Sequence, residues 1–303
     1  MRVTNNMLVG TVLNNLNRNL EQLNKLQNQM SSGKVISSPS DNPVGAVRVM
    51  GLRATIKQQE QYANNMRDIK AWLDTSEAAF GRATDIFQRA RELAVYGASG
   101  SLAPEDKAAM AEEVDQLINE LLQVANSNFE GRYIFGGHYT RETPFSRSSK
   151  PDGSEIVVYA GDDGQLQWEI SPGVKVAANV SGQEAFGVDP STKESKTFQV
   201  LIDLKKALQD PNDNPGDSIK SIDEEIDHLL SIRASLGARS QRMEMGLDRV
   251  SSDNINLTSI QSQLEDVDIA EAAMNYAMQE YVYRAALATG ARTMQPSLLD
   301  FLR

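Results

Sequence analysis

Apolar residues in about the first thirty positions of the chain recur at alternating steps of four and three residues on a polar background. The residues between them are mostly Asn, Gln, Arg and Lys. This heptad spacing predicts a helix with a single apolar seam, of the kind that pairs in coiled coils. Because such a helix is marginal in water by itself, we expect packing against a partner to supply most of its stability. The seam is formed by Val9, Leu13, Leu16, Leu20, Leu23, Gln27 and Met30.

The last part of the chain carries a longer seam with the same repeat of about 3.5 residues. No proline precedes Pro296, so the pattern predicts a helix that starts near residue 218 and continues through the whole seam. Two polar residues, Asn254 and Glu271, interrupt the apolar positions. The seam consists of Leu247, Val250, Asn254, Leu257, Ile260, Leu264, Val267, Glu271, Met274, Met278, Tyr281, Ala285 and Ala288.

Pro296 is predicted to stop this helix, and a short apolar tail follows it. The tail could pack on the protein's own core, or it could be buried only between subunits. Chain ends are normally polar and frayed, so the sequence favours burial between subunits. The apolar tail residues are Leu298, Leu299, Phe301 and Leu302.

The middle of the chain combines long helical repeats with a glycine- and proline-rich insertion. Apolar residues between Tyr62 and Ala94 recur every three or four positions, and a further helical segment follows Pro104. In residues 129–196, short β-branched stretches alternate with Gly and Pro, and residues 161–164 and 172–173 have the composition of hairpin turns. The sequence predicts a mainly α protein with an inserted β domain, in which the N- and C-terminal regions form a long antiparallel helical bundle or coiled coil.

These patterns divide the chain into three predicted parts. Residues 1–44 and 251–303 form terminal coiled-coil helices. Residues 45–137 and 197–250 form a helical, rod-like middle domain, and residues 138–196 form an outer β-rich insertion domain. At 303 residues the chain is long enough for two or three such domains.

Composition argues against several classes of function. The net charge of −11, without a basic stripe interleaved with aromatic residues, argues against nucleic acid as a partner. The chain contains no Cys, which removes disulfides, thiolate metal sites and a Cys nucleophile. No apolar run reaches the roughly 20 residues that span a bilayer. The N-terminus lacks the apolar core of a cleaved signal peptide, so export would have to use another route.

The sequence offers no constellation for catalysis, a metal or a cofactor. His138 and His228 are far apart, and neither lies in an HExxH motif. The Ser- and Gly-rich residues 31–43 lack the spacing of a phosphate-binding loop, and we expect a structural joint there. Residues 210–217 resemble a calcium loop, but Pro215 stands where that loop needs Gly. We therefore expect a protein that is not an enzyme.

One acidic cluster beside the C-terminal seam has two interpretations. It consists of Glu265, Asp266 and Asp268. Runs of charge are usually solvated faces, and that is the more common outcome. The alternative is a contact between subunits.

Several motifs, in the same order and spacing, resemble those of bacterial flagellins. They lie in about 135 residues at the N-terminal end and about 100 at the C-terminal end of the sequence. The resemblance is specific because it rests on the order of many motifs. The matching segments are residues 26–33, 35–37, 63–65, 89–94, 126–131, 236–243 and 264–271.

Three segments depart from filament flagellins and resemble the flagellin-like junction proteins of the same family. They are residues 38–46, which contain two prolines, residues 133–137, and residues 294–302. The resemblance implies a structural subunit that joins hook to filament and polymerises through its terminal helices. It also implies terminal helices that are disordered in the monomer and become ordered on assembly.

The resemblance further implies partners and a location. The implied partners are other copies of the chain in a ring, hook-associated protein 1 on the hook side, flagellin on the filament side and a cytosolic export chaperone. The implied location is extracellular, at the hook–filament junction, after type III export without cleavage. No cofactor, nucleic acid or membrane is implied.

Three alternatives remain at this level. The first is a filament flagellin, which segments 38–46 and 294–302 argue against. The second is a flagellin-derived protease, which needs a metal site in the insertion, where His138 is the only histidine. The third is a cytosolic coiled-coil adaptor, which predicts terminal helices that are ordered in the monomer.

Overall fold

The structure, a computed structural model, describes residues 5–99, 103–150, 154–210 and 213–294. It confirms the predicted fold class, because long helices dominate and short strands lie between them. The helices are α1 (Asn5–Ser32), α2 (Pro43–Gly97), α3 (Pro104–Ala125), α4 (Gly182–Ala185), α5 (Lys196–Gln209), α6 (Ser218–Glu265) and α7 (Ile269–Met294). The strands are β1 (Asn128–Phe129), β2 (Arg132–Tyr133), β3 (Phe145–Ser149), β4 (Glu155–Tyr159), β5 (Gln167–Ser171) and β6 (Val174–Ala177).

The chain divides into two compact units. The terminal unit consists of residues 1–58 and 252–303, and the body unit consists of residues 59–251. The sequence-based boundary after residue 44 differs from this division, because the first turns of α2 contribute the buried residues Ala46 and Val49 to the terminal unit.

In the body unit, the apolar face of α2 packs with α3, α5 and α6. The α2 residues Met66, Ile69, Leu73, Phe80 and Phe87, all predicted as one seam, are buried. Removing such a row of large side chains from water supplies the main driving force for this unit. Each partner helix adds a buried row of its own: Val114, Ile118 and Leu121 on α3, Leu201 and Leu204 on α5, and Ile222, Leu229, Leu236 and Met243 on α6.

Salt bridges show that α2 and α6 run antiparallel within the body unit. Arg91 Nε lies 2.6 Å from Asp223 Oδ1, and Arg233 Nη2 lies 2.7 Å from Glu77 Oε1. Higher residue numbers on α2 therefore lie opposite lower numbers on α6. This is the antiparallel helix arrangement that the sequence predicted.

The described residues form three separate antiparallel hairpins of two strands each: β1–β2 lies just before the predicted insertion, and β3–β4 and β5–β6 lie within it. The predicted turn at residues 172–173 joins β5 to β6, and Gly173 has the positive φ of +73° that such a turn favours. The short helix α4 also lies in this region, capped by Ser181, whose side chain accepts a hydrogen bond from the N–H of Glu184.

The second predicted hairpin turn, at residues 161–164, is wrong. This segment connects β4 to β5, and these strands pair with β3 and β6 instead of with each other. A side-chain contact holds this segment instead: Asp162 Oδ1 accepts the N–H of His138 at 2.6 Å, and Asp162 Oδ2 lies 2.9 Å from His138 Nδ1. Burial acts to raise the pKa of Asp162, but the hydrogen bonds from His138 outweigh it and lower that pKa.

Five aromatic rings join the insertion to the helices of the body unit. Phe186 lies within ring-contact distance of four other rings, with centroid separations from 5.0 to 6.2 Å. The cluster explains why two-stranded hairpins are sufficient in the insertion: its large side chains share the core of the helices and do not need a larger sheet to cover them. The rings are Phe80, Phe135, Phe145, Phe186 and Phe198.

Candidate assembly surface

In the terminal unit, α1 and α7 pack side by side and run antiparallel. Asn19 Oδ1 accepts a hydrogen bond from Gln279 Nε2 at 3.3 Å. Further along, a Cβ added to Gly290 would lie 2.8 Å from Val12 Cγ1, so the two helices approach closely there. This pairing of the N- and C-terminal helices is the one that the sequence predicted.

The contact stripe on each helix follows a heptad spacing. On α1 it consists of partly buried residues in steps of four and three, and on α7 it contains small residues that allow close approach. The α1 stripe is Val9, Val12, Leu16, Asn19, Leu23, Leu26 and Met30. The α7 stripe is Ala272, Tyr276, Gln279, Tyr283, Ala286 and Gly290.

The predicted seam of α1 only partly coincides with this stripe. Val9, Leu16, Leu23 and Met30 are partly buried in it, and the predicted position Gln27 is exposed. Leu13 is 50% exposed and Leu20 is 40% exposed, on one flank of the helix. The sequence reasoning missed Val12 and Leu26. A second heptad phase through these apolar residues was visible in the sequence and would have found them.

The predicted seam of α7 faces away from α1. Met274 is 69% exposed, Met278 is 62% exposed and Tyr281 is 71% exposed. Each of them is two residues away from a position of the contact stripe, which is about 200° around a helix. These three residues, the outward row of α7, therefore form an apolar row opposite the α1 contact.

The first half of the C-terminal seam lies on α6 and in the joint before α7. There Leu257, Leu264 and Val267 are partly buried, and Ile260 is exposed. The tail residues Leu298, Leu299, Phe301 and Leu302 lie outside the described residues, so their predicted burial stays a prediction.

A joint of two backbone hydrogen bonds interrupts the C-terminal helix, which the sequence predicted as continuous. The N–H of Val35 donates to the carbonyl of Glu265 at 2.6 Å, and the N–H of Val267 donates to the carbonyl of Gly33 at 3.0 Å. Gly33 has a φ of +70°, which ends α1 and favours Gly. Asp268 then caps α7, because its carboxylate accepts the N–H of Ala270. No proline or glycine marks the break in α6, so local sequence signals did not reveal it.

The acidic cluster belongs to this joint: Glu265 is buried, against the expectation of a solvated face, whereas Asp266 and Asp268 are exposed, and the alternative of a contact between subunits stays a prediction. The side chain of Glu265 is 1% exposed, hydrogen bonds to Arg53, and accepts the side-chain N–H of Gln261 at 2.9 Å. Asp266 Oδ1 lies 2.6 Å from Lys34 Nζ. Glu265 and Asp266 therefore hold the terminal unit together from inside one subunit.

The ion pair between Lys34 and Asp266 shifts the pKa values of both side chains. The hydrogen bond from Lys34 is the main cause that lowers the pKa of Asp266, and the same bond raises the pKa of Lys34. Both side chains are substantially exposed, so the pair contributes little to stability and weakens in salt.

The described residues contain no group of three His, Asp or Glu side chains that could hold a metal ion. Of the two histidines, His138 contacts Asp162, and His228 Nε2 lies 3.1 Å from the carbonyl oxygen of Glu184. Both histidines thus contact groups of the body unit. In the part of the chain that the structure describes, no helix is both long and apolar enough to cross a membrane.

Comparison with known proteins identifies two family regions. Residues 3–140 match the bacterial flagellin N-terminal helical region, and residues 219–302 match the bacterial flagellin C-terminal helical region. Together the two matches span more than two thirds of the chain.

Individual relatives match over nearly the whole length. Flagellar hook-associated protein 3 of Escherichia coli is 27% identical, over 94% of this chain and 95% of that protein. A flagellin of Bacillus subtilis is 26% identical over the full length of both. The solved structure of a putative flagellar hook-associated protein from Vibrio parahaemolyticus aligns with a TM-score of 0.66 at 19% identity, over 75% of this chain and all of that one. The last comparison shows the likeness of the fold.

Proposed function

Since the chain belongs to the bacterial flagellin family, we propose that it is a structural subunit of the flagellum that joins hook to filament and polymerises through its terminal helices. The observation that carries this proposal is the exposed apolar row on α7, opposite the face that packs on α1. A helix with apolar rows on two opposite sides needs two partners, and α1 is only one of them.

The second partner in this proposal is a neighbouring copy of the chain. Met274, Met278 and Tyr281 on α7, with Leu13 and Leu20 on α1, become buried between copies. Full burial of one large apolar side chain contributes roughly 1.5–3 kcal/mol. Several such side chains per subunit, repeated around a ring, are enough to order helices that are marginal alone. The terminal helices are then disordered in the monomer and ordered on assembly.

The wider setting of the proposal follows the family. The subunits form a ring at the hook–filament junction, outside the cell, with hook-associated protein 1 on one side and flagellin on the other. A cytosolic chaperone holds the chain before type III export. The apolar tail, with Leu298 and Phe301, is buried between subunits. The absence of Cys is compatible with such a route.

A second candidate function is the filament subunit itself. The full-length match to a flagellin of Bacillus subtilis favours it. Residues 38–46 and 294–302, whose sequences depart from filament flagellins, favour the junction subunit. Sequence identity does not separate the two, because the hook-associated and flagellin relatives match about equally well.

Deletion of the gene separates the two candidates. We expect bare hooks on the cells and flagellin shed as monomer into the medium, because the filament has lost its base. Complete absence of flagellin antigen would mean that this chain is the filament itself. Intact filaments, in a strain without a second copy of the gene, would contradict both candidates.

Substitutions in the terminal unit test the surface. Met278→Asp and Leu20→Asp each place a charge in a row that we propose is buried between copies, so we expect chains that are exported but absent from isolated flagella. Gln22→Asp is the matched control for Leu20, because Gln22 is exposed about 200° away on the same helix. Normal incorporation of both Met278→Asp and Leu20→Asp into flagella would overturn the proposal.

A further inference from the structure

The first turns of α2 carry an exposed apolar face of their own. Val44 is 67% exposed, Val47 is 70% exposed and Met50 is 59% exposed. Gly51 and Ala54 are also exposed and continue the same face at helical spacing. We call these five residues the Val44–Ala54 face. It contains no charged or polar side chain.

This face is separate from the side of α2 that packs inside the terminal unit. Ala46 and Val49 are buried, and Arg53 contacts Glu265, so these residues mark the inner side of the helix. A Cβ added to Gly51 meets no atom within 4 Å, whereas a Cβ added to Gly45 would lie 2.6 Å from Ile36 Cδ1. No residue that the structure describes therefore fills the space over Gly51.

The Val44–Ala54 face lies beside the joint, because Arg53 reaches Glu265. Within the part of the chain that the structure describes, Val44, Val47 and Met50 stay more than half exposed. The face is therefore open to a partner from another chain.

Gly51 is informative because Gly is among the poorest helix formers, and no residue that the structure describes lies close enough to require it. What Gly and Ala at adjacent turns provide is a shallow place where another helix can approach the backbone closely. Val44, Val47 and Met50 surround this place with apolar contacts. The combination fits a helix with large, uncharged side chains.

We propose that the Val44–Ala54 face receives a helix from a neighbouring copy of this chain. The inference rests on the proposed function, which surrounds each subunit with identical copies. A ring of identical subunits uses head-to-tail contacts, in which two different surfaces of the chain meet. The terminal unit supplies both kinds of surface: small residues on this face, and the large side chains Met274, Met278 and Tyr281 on α7, which no described residue covers.

A thiol probe tests this directly, because the chain has no Cys. Gly51→Cys is labelled with a thiol-reactive benzophenone in isolated flagella and irradiated. Glu60→Cys is the control, since Glu60 is exposed on the same helix, about 180° around it from Gly51. We expect an adduct of two copies of this chain, identified by mass spectrometry, from Gly51→Cys and at least ten-fold less from Glu60→Cys.

The outcomes separate this inference from the proposed function. Absence of the chain from flagella of otherwise normal appearance would overturn the proposed function and this inference with it. Presence of the chain without two-copy adducts, or with adducts only to a different flagellar protein, would overturn this inference alone.

Gly51→Gln provides a second readout. Its side chain has open space in the subunit and suits a helix better than Gly, so the isolated chain should fold as before, which circular dichroism checks. Between copies the same side chain blocks the close approach. We expect at least a ten-fold loss of the chain from isolated flagella for Gly51→Gln and no loss for Glu60→Gln, on the opposite side of the same helix. Equal recovery of both variants would sink the inference.

Discussion

The body unit and the terminal unit share the two longest helices of the protein, yet they bury their side chains very differently. In the body unit, six Phe rings are removed from water, together with most of the apolar seam of α2 between Tyr62 and Ala94. In the terminal unit, the buried side chains that the structure describes are Ala46, Val49, Glu265 and Ala272. Most of the large apolar residues of its helices are exposed or only partly buried.

This difference indicates where each unit obtains its stability. The body unit has a dense core that needs no partner. The terminal unit has thin stripes, small residues and exposed apolar rows, and under the proposed function these rows become buried against other copies. Both tryptophans, Trp72 and Trp168, lie in the body unit, and their fluorescence therefore reports the unfolding of that unit.

The sharpest test of the difference removes the centre of the aromatic cluster. We expect Phe186→Ala to lower the free energy of unfolding of the body unit by about 3–5 kcal/mol, because four neighbouring rings lose their contacts. Leu16→Ala in the terminal unit should leave the same transition unchanged. Denaturant titration followed by tryptophan fluorescence measures both. A similar loss in both variants would mean that the two units unfold as one.

A partly buried ionic cluster should make the body unit sensitive to acid. The hydrogen bond from Arg147, aided by Lys205, lowers the pKa of Asp115 to about 2. This pKa is below its unfolded value, so the stabilisation is present above about pH 4 and is lost as the pH falls towards 2. We expect Asp115→Asn to lower the stability of the body unit by about 2 kcal/mol at neutral pH. Urea titrations of the two proteins between pH 7 and 2 should converge at the acid end.

A substitution in the joint of the terminal unit should have a smaller effect on stability. Glu265→Gln removes the charge that holds Arg53, and we expect a loss of about 1–2 kcal/mol, confined to this unit. Hydrogen exchange at the amides of Val35 and Val267 should become about ten-fold faster, since both amides bond across the joint. The measurement requires a chain concentration at which the terminal unit is ordered. Unchanged exchange there, or a shift in the tryptophan transition, would contradict the local role of Glu265.

The smallest expected effect is a gain. Gly237 lies within α6 in the body unit, and a Cβ added there meets no atom within 4 Å. We expect Gly237→Ala to raise the free energy of unfolding of the body unit by about 0.5–1 kcal/mol through its better helix propensity. Gly137→Ala is the contrasting variant, because its Cβ would lie 2.1 Å from Asp162 Oδ1 and should destabilise the same transition.

The sequence predicted the body helices well because their apolar positions are large and regularly spaced. The seam from Tyr62 to Ala94 became the buried face of α2, and the predicted turn at residues 172–173 is present. The turn at 161–164 was wrong because strand pairing depends on which segments meet. There the carboxylate of Asp162 binds His138, a residue more than twenty positions away.

The contact faces of the terminal unit were harder to predict from the sequence, because both α1 and α7 carry more than one apolar stripe. Leu13 and Leu20 are larger than Val12 and Asn19, so size pointed to the exposed flank of α1, whereas Val12 and Asn19 lie in the stripe that contacts α7. On α7, Ala272, Ala286 and Gly290 are weak signals in a sequence, but their small size is what lets the helices approach.

The sequence by itself determined the helical nature of both chain ends, the class of the insertion and the family, because these depend on periodicity, turn composition and motif order. Only the tertiary structure decided which stripe of α1 meets which stripe of α7, where α6 ends, and that Glu265 is buried against Arg53. The physical reason is that a heptad pattern shows that a helix has an apolar side, whereas the partner of that side depends on distant residues that compete for the same contact.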